Sequence, residues 1–406
     1  MTTVVLPPNT SLGSSATTDE DFSLVLGGPL FQMFRRAYLS GSGLELLRRR
    51  IVFAVTITWM PLLLLSALEG LAWGNEVTLT FIRDINAHTR FLIALPVLLV
   101  AEQVVHERMR NVLKQFGERQ LIPEHARTQF ANAVTSAKRW RNSLLAEVLL
   151  IAFVYGVGVL LIWRKVVEVD LSSWHGASPR GTLNPSLAGW WFGLISLPLF
   201  QFLLCRWYYR LVIWARFLWQ ISRIKLRLLA THPDRCGGLG FLSNVSYAFV
   251  PLLLAQGVLL SGAMANRVLY TEAKLPDFKL DIIGLVAVVL VFILGPLLFF
   301  CSQLAQAKRT ARREYGDLAQ RYVREFDNKW LRGGAPKDEQ LIGSSDIQSL
   351  ADMGNSYQLI AEMRWVPFTG KTVFQLALTT LVPVAPLLLT VIPLDELVTR
   401  LLKIVF

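Results

Sequence analysis

Seven apolar stretches of membrane-spanning length constrain this chain more than any other feature. A helix needs about 20 such residues to cross roughly 30 Å of hydrocarbon. Hydrophobic residues make up 53% of the sequence and charged residues only 17%, against about 25% charged residues in soluble domains. A single soluble globule is therefore excluded, and we expect an all-α, polytopic transmembrane helical bundle. The predicted spans lie at about 51–73, 90–106, 143–163, 187–206, 246–266, 280–301 and 373–393.

Basic residues are unevenly distributed between the two sides of these spans. Of the 41 Lys and Arg residues, 31 fall on the side that includes the N-terminus and 10 on the other side. Basic residues collect on the cytoplasmic side of membrane proteins. We therefore expect a cytoplasmic N-terminus and a C-terminus outside. The same topology accounts for the formal charge of +12, so nucleic acid is not expected as a partner.

The chain divides into four parts along this topology. Residues 1–50 are expected to form a disordered N-terminus and an interfacial helix at 29–39. Residues 51–301 form six spans, with a cytoplasmic helical hairpin at 106–142. Residues 302–372 form a basic cytoplasmic helical segment, and residues 373–406 form the last span and an amphipathic tail. Basic helices beside the bilayer predict contact with anionic lipid headgroups at the cytoplasmic face.

Charged side chains near the apolar core are the main candidates for a transport pathway. Glu102 lies in the cytoplasmic half of the second span, and His106 shares its helix face one turn later. An intramembrane carboxylate is a functional candidate, as a proton carrier or a cation ligand. Glu147, near the start of the third span, either joins this pathway or reaches the cytosol.

A row of arginines follows the fourth span. No helix breaker occurs between Cys205 and Pro233, so one helix would carry them within about 140° of one another. The row either lines an anion route or reaches lipid phosphates where the helix leaves the membrane. Arg206 and Arg210 lie nearest the apolar core, and pairing with Glu102 would give these two arginines a purely structural role. The row consists of Arg206, Arg210, Arg216, Arg223 and Arg227.

Two further groups of residues indicate packing and loop positions. On the fifth span, Gly257, Ser261 and Ala265 recur at small-residue spacing and predict close helix packing, within or between subunits. The loop after the arginine row is expected to act as a cytoplasmic gate or to be a structural turn. Its candidate residues are His232, Asp234, Arg235, Gly237 and Gly238. Prolines at 61, 96 and 296 predict kinks in the first, second and sixth spans.

The histidines and cysteines show no paired metal-ligand spacing, and no GxSxG motif occurs. We therefore expect no metal, no cofactor and no enzyme activity. Two segments, HPDRCGGLGFL at 232–242 and DIQSLADMGNSYQLIAEMRWVPF at 346–368, resemble a group of uncharacterised bacterial multi-pass membrane proteins. This resemblance spans most of the chain and implies a bacterial inner membrane, with the C-terminus in the periplasm. It implies no activity.

The sequence is consistent with three classes of function. The first is a channel or transporter for small ions or solutes, alone or in a homo-oligomer, supported by the intramembrane charges and kinked spans. The second is a sensor, scaffold or assembly factor that binds a protein partner or anionic lipid through its basic cytoplasmic helices. The third, a lipid-modifying enzyme, is supported only by His106 and the 232–235 loop.

Overall fold

The computed structural model describes residues 23–25, 27, 46–74, 77–159, 173–176, 185–271 and 273–390. This part of the chain is helical and contains no β-strand. The expected disordered N-terminus, the interfacial helix at 29–39 and the amphipathic tail after residue 390 lie outside the described residues.

The helices are labelled in chain order, with short 3₁₀ and π segments included where they continue a helix. They are α1 (Leu47–Leu68), α2 (Ile85–Glu118), α3 (Glu124–Arg141), α4 (Leu144–Val157), α5 (Leu187–Ser222), α6 (Phe241–Tyr270), α7 (Leu275–Leu331), α8 (Ser345–Glu362) and α9 (Gly370–Leu381).

Several of these helices are long and apolar enough to cross a membrane. Within the described residues, five qualify singly: α1, α2, α5, α6 and α7. A sixth span results if α3 and α4, which meet at a 45° bend, count as one. The predicted seventh span falls on α9 and a 3₁₀ segment at Val382–Thr390. Neither is among the described helices that are long and apolar enough to cross a membrane. A membrane-spanning helical bundle is thus supported, whereas the count of seven spans is not.

Each predicted proline kink coincides with a change in the helical hydrogen-bond pattern. The α-helical pattern is interrupted at Trp59 just before Pro61, and a 3₁₀ segment at Gly295–Phe300 contains Pro296. A π segment at Thr89–Ala94 comes just before Pro96. A proline cannot donate the usual backbone bond, so the preceding turn rearranges.

Helix α6 lies at the centre of the bundle and α1 at its edge. Of the apolar window of each helix, 61% is buried in α6 and only 17% in α1. Glycines allow this close packing, since a Cβ at Gly257 would stand 2.1 Å from the Thr380 carbonyl oxygen. At Gly262 a Cβ would stand 2.0 Å from the Thr89 hydroxyl. Both glycines therefore bring α6 against neighbouring helices of the same chain.

The end of the bundle away from the predicted arginine row is held by buried Asp84. Its carboxylate accepts hydrogen bonds from the Ala87 amide at 3.0 Å, Trp174 Nε1 at 2.9 Å and Asn266 Nδ2 at 2.7 Å. Beside it, burial lowers the pKa of His175 to about 4, although Asp84 acts to raise it. The imidazole is therefore neutral at neutral pH, as its stacking on the Trp174 ring suits.

Helix α5 ends earlier than the sequence predicts, at Ser222 and not near Pro233. The chain then runs extended, and the side-chain amide of Gln303 on α7 donates to the carbonyls of Ser222 and Ile224, at 2.6 and 2.8 Å. The same Gln303 side chain accepts from the Leu226 amide at 3.3 Å. These bonds replace those of a further helical turn, so tertiary contacts override a segment without a helix breaker.

Substitution of Gly257 tests the packing of α6. Gly257→Ala directs a methyl group into the Thr380 backbone, and we expect a loss of about 1–3 kcal/mol in unfolding free energy. Gly284→Ala is the matched control, because no atom lies within 4 Å of a Cβ there. The control should be unchanged or up to about 1 kcal/mol more stable. Thermal unfolding in detergent measures both, and equal stability of the two variants would contradict this packing.

Candidate functional site

Five charged side chains meet inside the bundle and form the charge cluster: Arg50, Glu102, Glu147, Arg206 and Arg210. They come from four helices, α1, α2, α4 and α5. Each residue is buried, with between 3% and 8% of its surface exposed. A buried charge is costly unless it is paired, so the pairings determine what this site can do.

Glu102 is the central residue of the charge cluster. One carboxylate oxygen accepts from Arg210 at 2.7 Å and lies 3.8 Å from an Arg206 nitrogen. The other oxygen accepts a hydrogen bond from Arg50. Arg206 also reaches the Glu147 carboxylate at 3.4 Å. One carboxylate thus links α2 directly to α1 and α5, while Arg206 extends the cluster to α4.

Helical periodicity places these side chains inward. On α1, Arg50 begins a stripe of buried residues four apart that continues with Ala54, Thr58, Leu62 and Ser66. On α2, the residues that share the buried face with Glu102 are Leu98, Ala101, Val105 and Met109. Since residues four apart share one helix face, the same apolar stripes that form the core carry the charges into it.

Two aromatic contacts position α5 within the charge cluster. The Arg210 guanidinium lies over the Trp207 ring, 4.7 Å from its centroid. Trp207 Nε1 in turn donates to the Leu98 carbonyl on α2 at 3.1 Å. Together, the cation–π contact and the hydrogen bond fix the position of α5 along the axis of α2, and so place the Arg210 guanidinium beside Glu102.

The cluster carries more positive than negative charge. Three arginines face two carboxylates, which leaves a formal excess of one positive charge among these buried residues. Arg141 lies close enough to Arg210 for their charges to repel. The described surroundings of Glu102 therefore carry a net formal positive charge.

A short N-terminal segment closes one side of this region. Ser23, Leu24 and Val25 are each at most 2% exposed. The Ser23 hydroxyl lies 2.8 Å from His106 Nδ1, and the Ser23 carbonyl accepts from Arg141. His106 thus contacts the N-terminal segment, one turn away from Glu102 on α2.

The remaining arginines of the predicted row do not line one wall. Arg216 lies over the Trp140 ring at 4.5 Å, and Arg223 lies over the Trp219 ring at 5.2 Å. Arg227 belongs to the extended segment, where its amide donates to the Leu121 carbonyl at 2.9 Å. Of this row, only Arg206 and Arg210 reach Glu102, and the row itself ends with α5 at Ser222.

The predicted gate loop is organised around Asp234. Its carboxylate accepts from the amides of Cys236 at 2.8 Å, Gly238 at 3.2 Å and Gly240 at 2.8 Å. His232 lies 3.0 Å from the same carboxylate. Gly237 and Gly238 have φ of 63° and 97°, which suits glycine.

This loop connects the end of α2 to the end of α8. Arg119 on the α2 side donates to the Gly238 carbonyl at 2.9 Å. Arg235 forms an ion pair with Glu362 of α8 at 3.0 Å, and its carbonyl accepts from the Arg364 amide at 2.8 Å. Burial alone would raise the pKa of Asp234, but the three amide hydrogen bonds and His232 hold it below its ordinary value. The loop therefore depends on an ionised Asp234.

The predicted packing residues of α6 lie in two different environments. Gly257 faces Thr380 and Pro383, whereas Ala265 is buried in a small apolar cluster that includes Met264 and Phe278. Ser261 is only half-buried. The Gly257 part of this face is thus occupied by the same chain and does not offer itself to a second subunit.

Sequence reasoning missed Arg50 and Ser23 as neighbours of the proposed pathway. Arg50 follows Arg48 and Arg49 directly before the first predicted span, where basic residues commonly flank a membrane helix. The available signal was its position at the head of the four-residue stripe that includes Ala54 and Thr58. Ser23 has no comparable signal, since its position depends on a tertiary contact with His106.

No group of three or more His, Cys, Asp or Glu side chains among the described residues could hold a metal ion. No protein-family model, curated protein or solved structure matches the chain. The charge cluster is therefore interpreted from its geometry and charge.

Paired substitutions test the charge cluster. Glu102→Leu leaves buried arginines uncompensated, and we expect a loss of about 3–5 kcal/mol in unfolding free energy. Replacing a whole pair, Arg206→Met with Glu147→Leu, should cost much less, because one positive and one negative charge are removed together and the net charge of the cluster does not change. Arg216→Met is the control on the same helix and should cost about 1 kcal/mol or less. Unfolding in detergent measures all three, and equal losses in the first two variants would contradict the assigned pairing.

Acid sensitivity tests the Asp234 loop. Because the folded-state pKa of Asp234 lies below its ordinary value of about 3.9, its stabilisation is complete above that pH. It is lost as the pH falls through the lower folded-state pKa. Asp234→Ala removes the acceptor of three amides and should cost about 1–3 kcal/mol near neutral pH. This difference from wild type should shrink in acid, and a constant difference across the titration would contradict the interpretation.

Proposed function

We propose that this protein is an integral membrane channel or transporter for small ions, with the charge cluster in its pathway. The proposal includes a bacterial inner membrane, seven spans, a cytoplasmic N-terminus and a periplasmic C-terminus. The supporting observation is a group of five buried charges with an excess of positive charge, on helices that could cross a membrane. Charged residues at such positions are costly and commonly serve ion pathways.

The charge balance favours an anion as the transported species. Glu102 occupies the place between Arg50, Arg206 and Arg210 that a small anion would take. Protonation of Glu102 would remove its negative charge and release the arginine donors. An anion could then accept hydrogen bonds from the same guanidinium groups. In this mechanism the proton and the anion enter together, and both leave when the carboxylate ionises again.

A flux measurement tests this function. The full chain in liposomes should pass small anions in preference to cations, with a rate that depends on a proton gradient. Glu102→Gln mimics the protonated carboxylate, so anion flux should persist but lose its proton dependence. Arg210→Ala removes a central donor and should reduce flux about tenfold or more, as expected for loss of a charged hydrogen bond.

The control for flux is Arg216→Ala, whose guanidinium lies over Trp140 and outside the charge cluster. This variant should transport at the wild-type rate. Unchanged flux and proton dependence in both folded cluster variants would contradict the site. A folded wild-type protein that passes no ion under any gradient would contradict transport altogether.

A second function, as a scaffold or sensor, is favoured by the arm that α7 and α8 form. From Cys301 to Leu331, α7 continues beyond its apolar part for about 45 Å at 1.5 Å per residue. It pairs with α8 through Tyr322, which donates to the Asp346 carbonyl at 3.0 Å, and Lys308, which donates to the Ala361 carbonyl at 2.8 Å. No residue from 312 to 359 is buried, so the arm offers a long surface to a protein partner or to anionic lipid.

A further inference from the structure

A groove lies along the outer face of α1, at the end where the helix begins. It has a volume of about 550 Å³. Residues one turn apart share a helix face, so these residues form one strip along α1. Among the described residues, those that line the groove are Arg48, Arg49, Val52, Phe53 and Thr56.

The two arginines of the groove differ from their neighbour Arg50. Arg50 turns inward and pairs with Glu102, whereas Arg48 and Arg49 are exposed. Neither forms an ion pair with a carboxylate in the part of the chain that the structure describes. Two guanidinium groups at one end of the groove therefore present hydrogen-bond donors that match a phosphate.

The other end of the groove is apolar. Val52 is 57% exposed and Phe53 is 46% exposed, on a helix apolar enough to cross a membrane. In a bilayer these side chains lie at the depth of acyl chains, one turn below the two arginines. The groove thus has basic side chains at one end and apolar side chains at the other, in the same order as the headgroup and the acyl chains of a phospholipid.

We propose that this groove binds an anionic phospholipid. The lipid phosphate lies between Arg48 and Arg49, and an acyl chain lies along Val52, Phe53 and Thr56. The site requires α1 to lie in a membrane but does not depend on ion transport. It also places a lipid headgroup directly beside Arg50, which is bound to Glu102.

Lipid binding to the purified full chain tests the proposal. Native mass spectrometry of the detergent-solubilised protein, titrated with phosphatidylglycerol, gives the affinity. Each basic side chain near a membrane surface contributes to the binding free energy of an anionic lipid. Arg48→Ala with Arg49→Ala should therefore weaken binding about thirtyfold. Phosphatidylcholine should bind weakly to wild type and variant alike.

The matched control is Lys274→Ala with Lys279→Ala, which removes two exposed lysines near the start of α7, outside the arm that α7 and α8 form. This variant should bind phosphatidylglycerol as wild type does, and both double variants should unfold at the wild-type temperature. Equal affinity of the Arg48/Arg49 variant and the control would overturn the proposal, and would leave the groove to another occupant, such as a segment of the same chain.

Two further measurements distinguish a bound lipid from a bound free phosphate. Thr56→Trp fills the apolar end and keeps both arginines, so it should weaken phosphatidylglycerol binding. Inorganic phosphate in excess should displace little of the lipid, because it cannot occupy the apolar end. Complete displacement by inorganic phosphate together with unchanged binding by Thr56→Trp would overturn the lipid site in favour of a free-phosphate site.

Discussion

The carboxylate of Glu102 holds the bundle together at one end, because it makes three buried arginines tolerable there. An isolated charge in a low-dielectric interior costs several kcal/mol, so the arginines of α1 and α5 can be buried only where α2 supplies their partner. The requirement is mutual, since Glu102 would be equally costly alone. The relative rotation of α1, α2 and α5 is therefore fixed by charge as well as by packing.

This constraint leaves the two ends of the bundle with different chemistry. At the opposite end, the Asp84 carboxylate accepts hydrogen bonds from three neutral groups, an amide, an indole and an asparagine, and Arg90 lies near enough to interact with its charge. At the cluster end, arginines outnumber carboxylates and are held by ion pairs. The hydrogen-bond donors to Asp84 are neutral groups, whereas the donors to Glu102 are guanidinium groups that could bind an incoming anion in place of the carboxylate. This asymmetry is why the proposed pathway centres on Glu102 and not on Asp84.

Much of this arrangement could be predicted from the sequence. Apolar stretches locate the long helices, and the prolines mark where their hydrogen bonding changes. Glu102, Arg206 and Arg210 stand out because charges are rare in such stretches, and their mutual pairing was one of the two alternatives. The distinction between Arg50 and its two neighbours was less accessible, because three consecutive arginines at the start of a span look alike in composition. The helix periodicity of α1 is needed to see that Arg50 lies on the buried face of the helix and its two neighbours do not.

The end of α5 could not be predicted, for a different physical reason. Residues 223–232 contain neither proline nor glycine, so local preference favours a longer helix. Helix propensity differs between ordinary residues by only a few tenths of a kcal/mol each, and Gln303 outweighs it by supplying three backbone hydrogen bonds from another helix. Such a contact joins residues about 80 positions apart and leaves no local pattern.

The start of α1 connects the two proposals physically. Successive residues of a helix point about 100° apart, so three consecutive arginines cannot share one environment. Arg50 must face the core if Ala54 and Thr58 do, and Arg48 and Arg49 are then turned toward the membrane surface. A phosphate bound by those two would restrain the first turn of α1, and hence the position of the Arg50 guanidinium. Since Arg50 and Arg210 hold the two oxygens of the same carboxylate, a lipid that holds α1 in place would bias how readily Glu102 releases its partners.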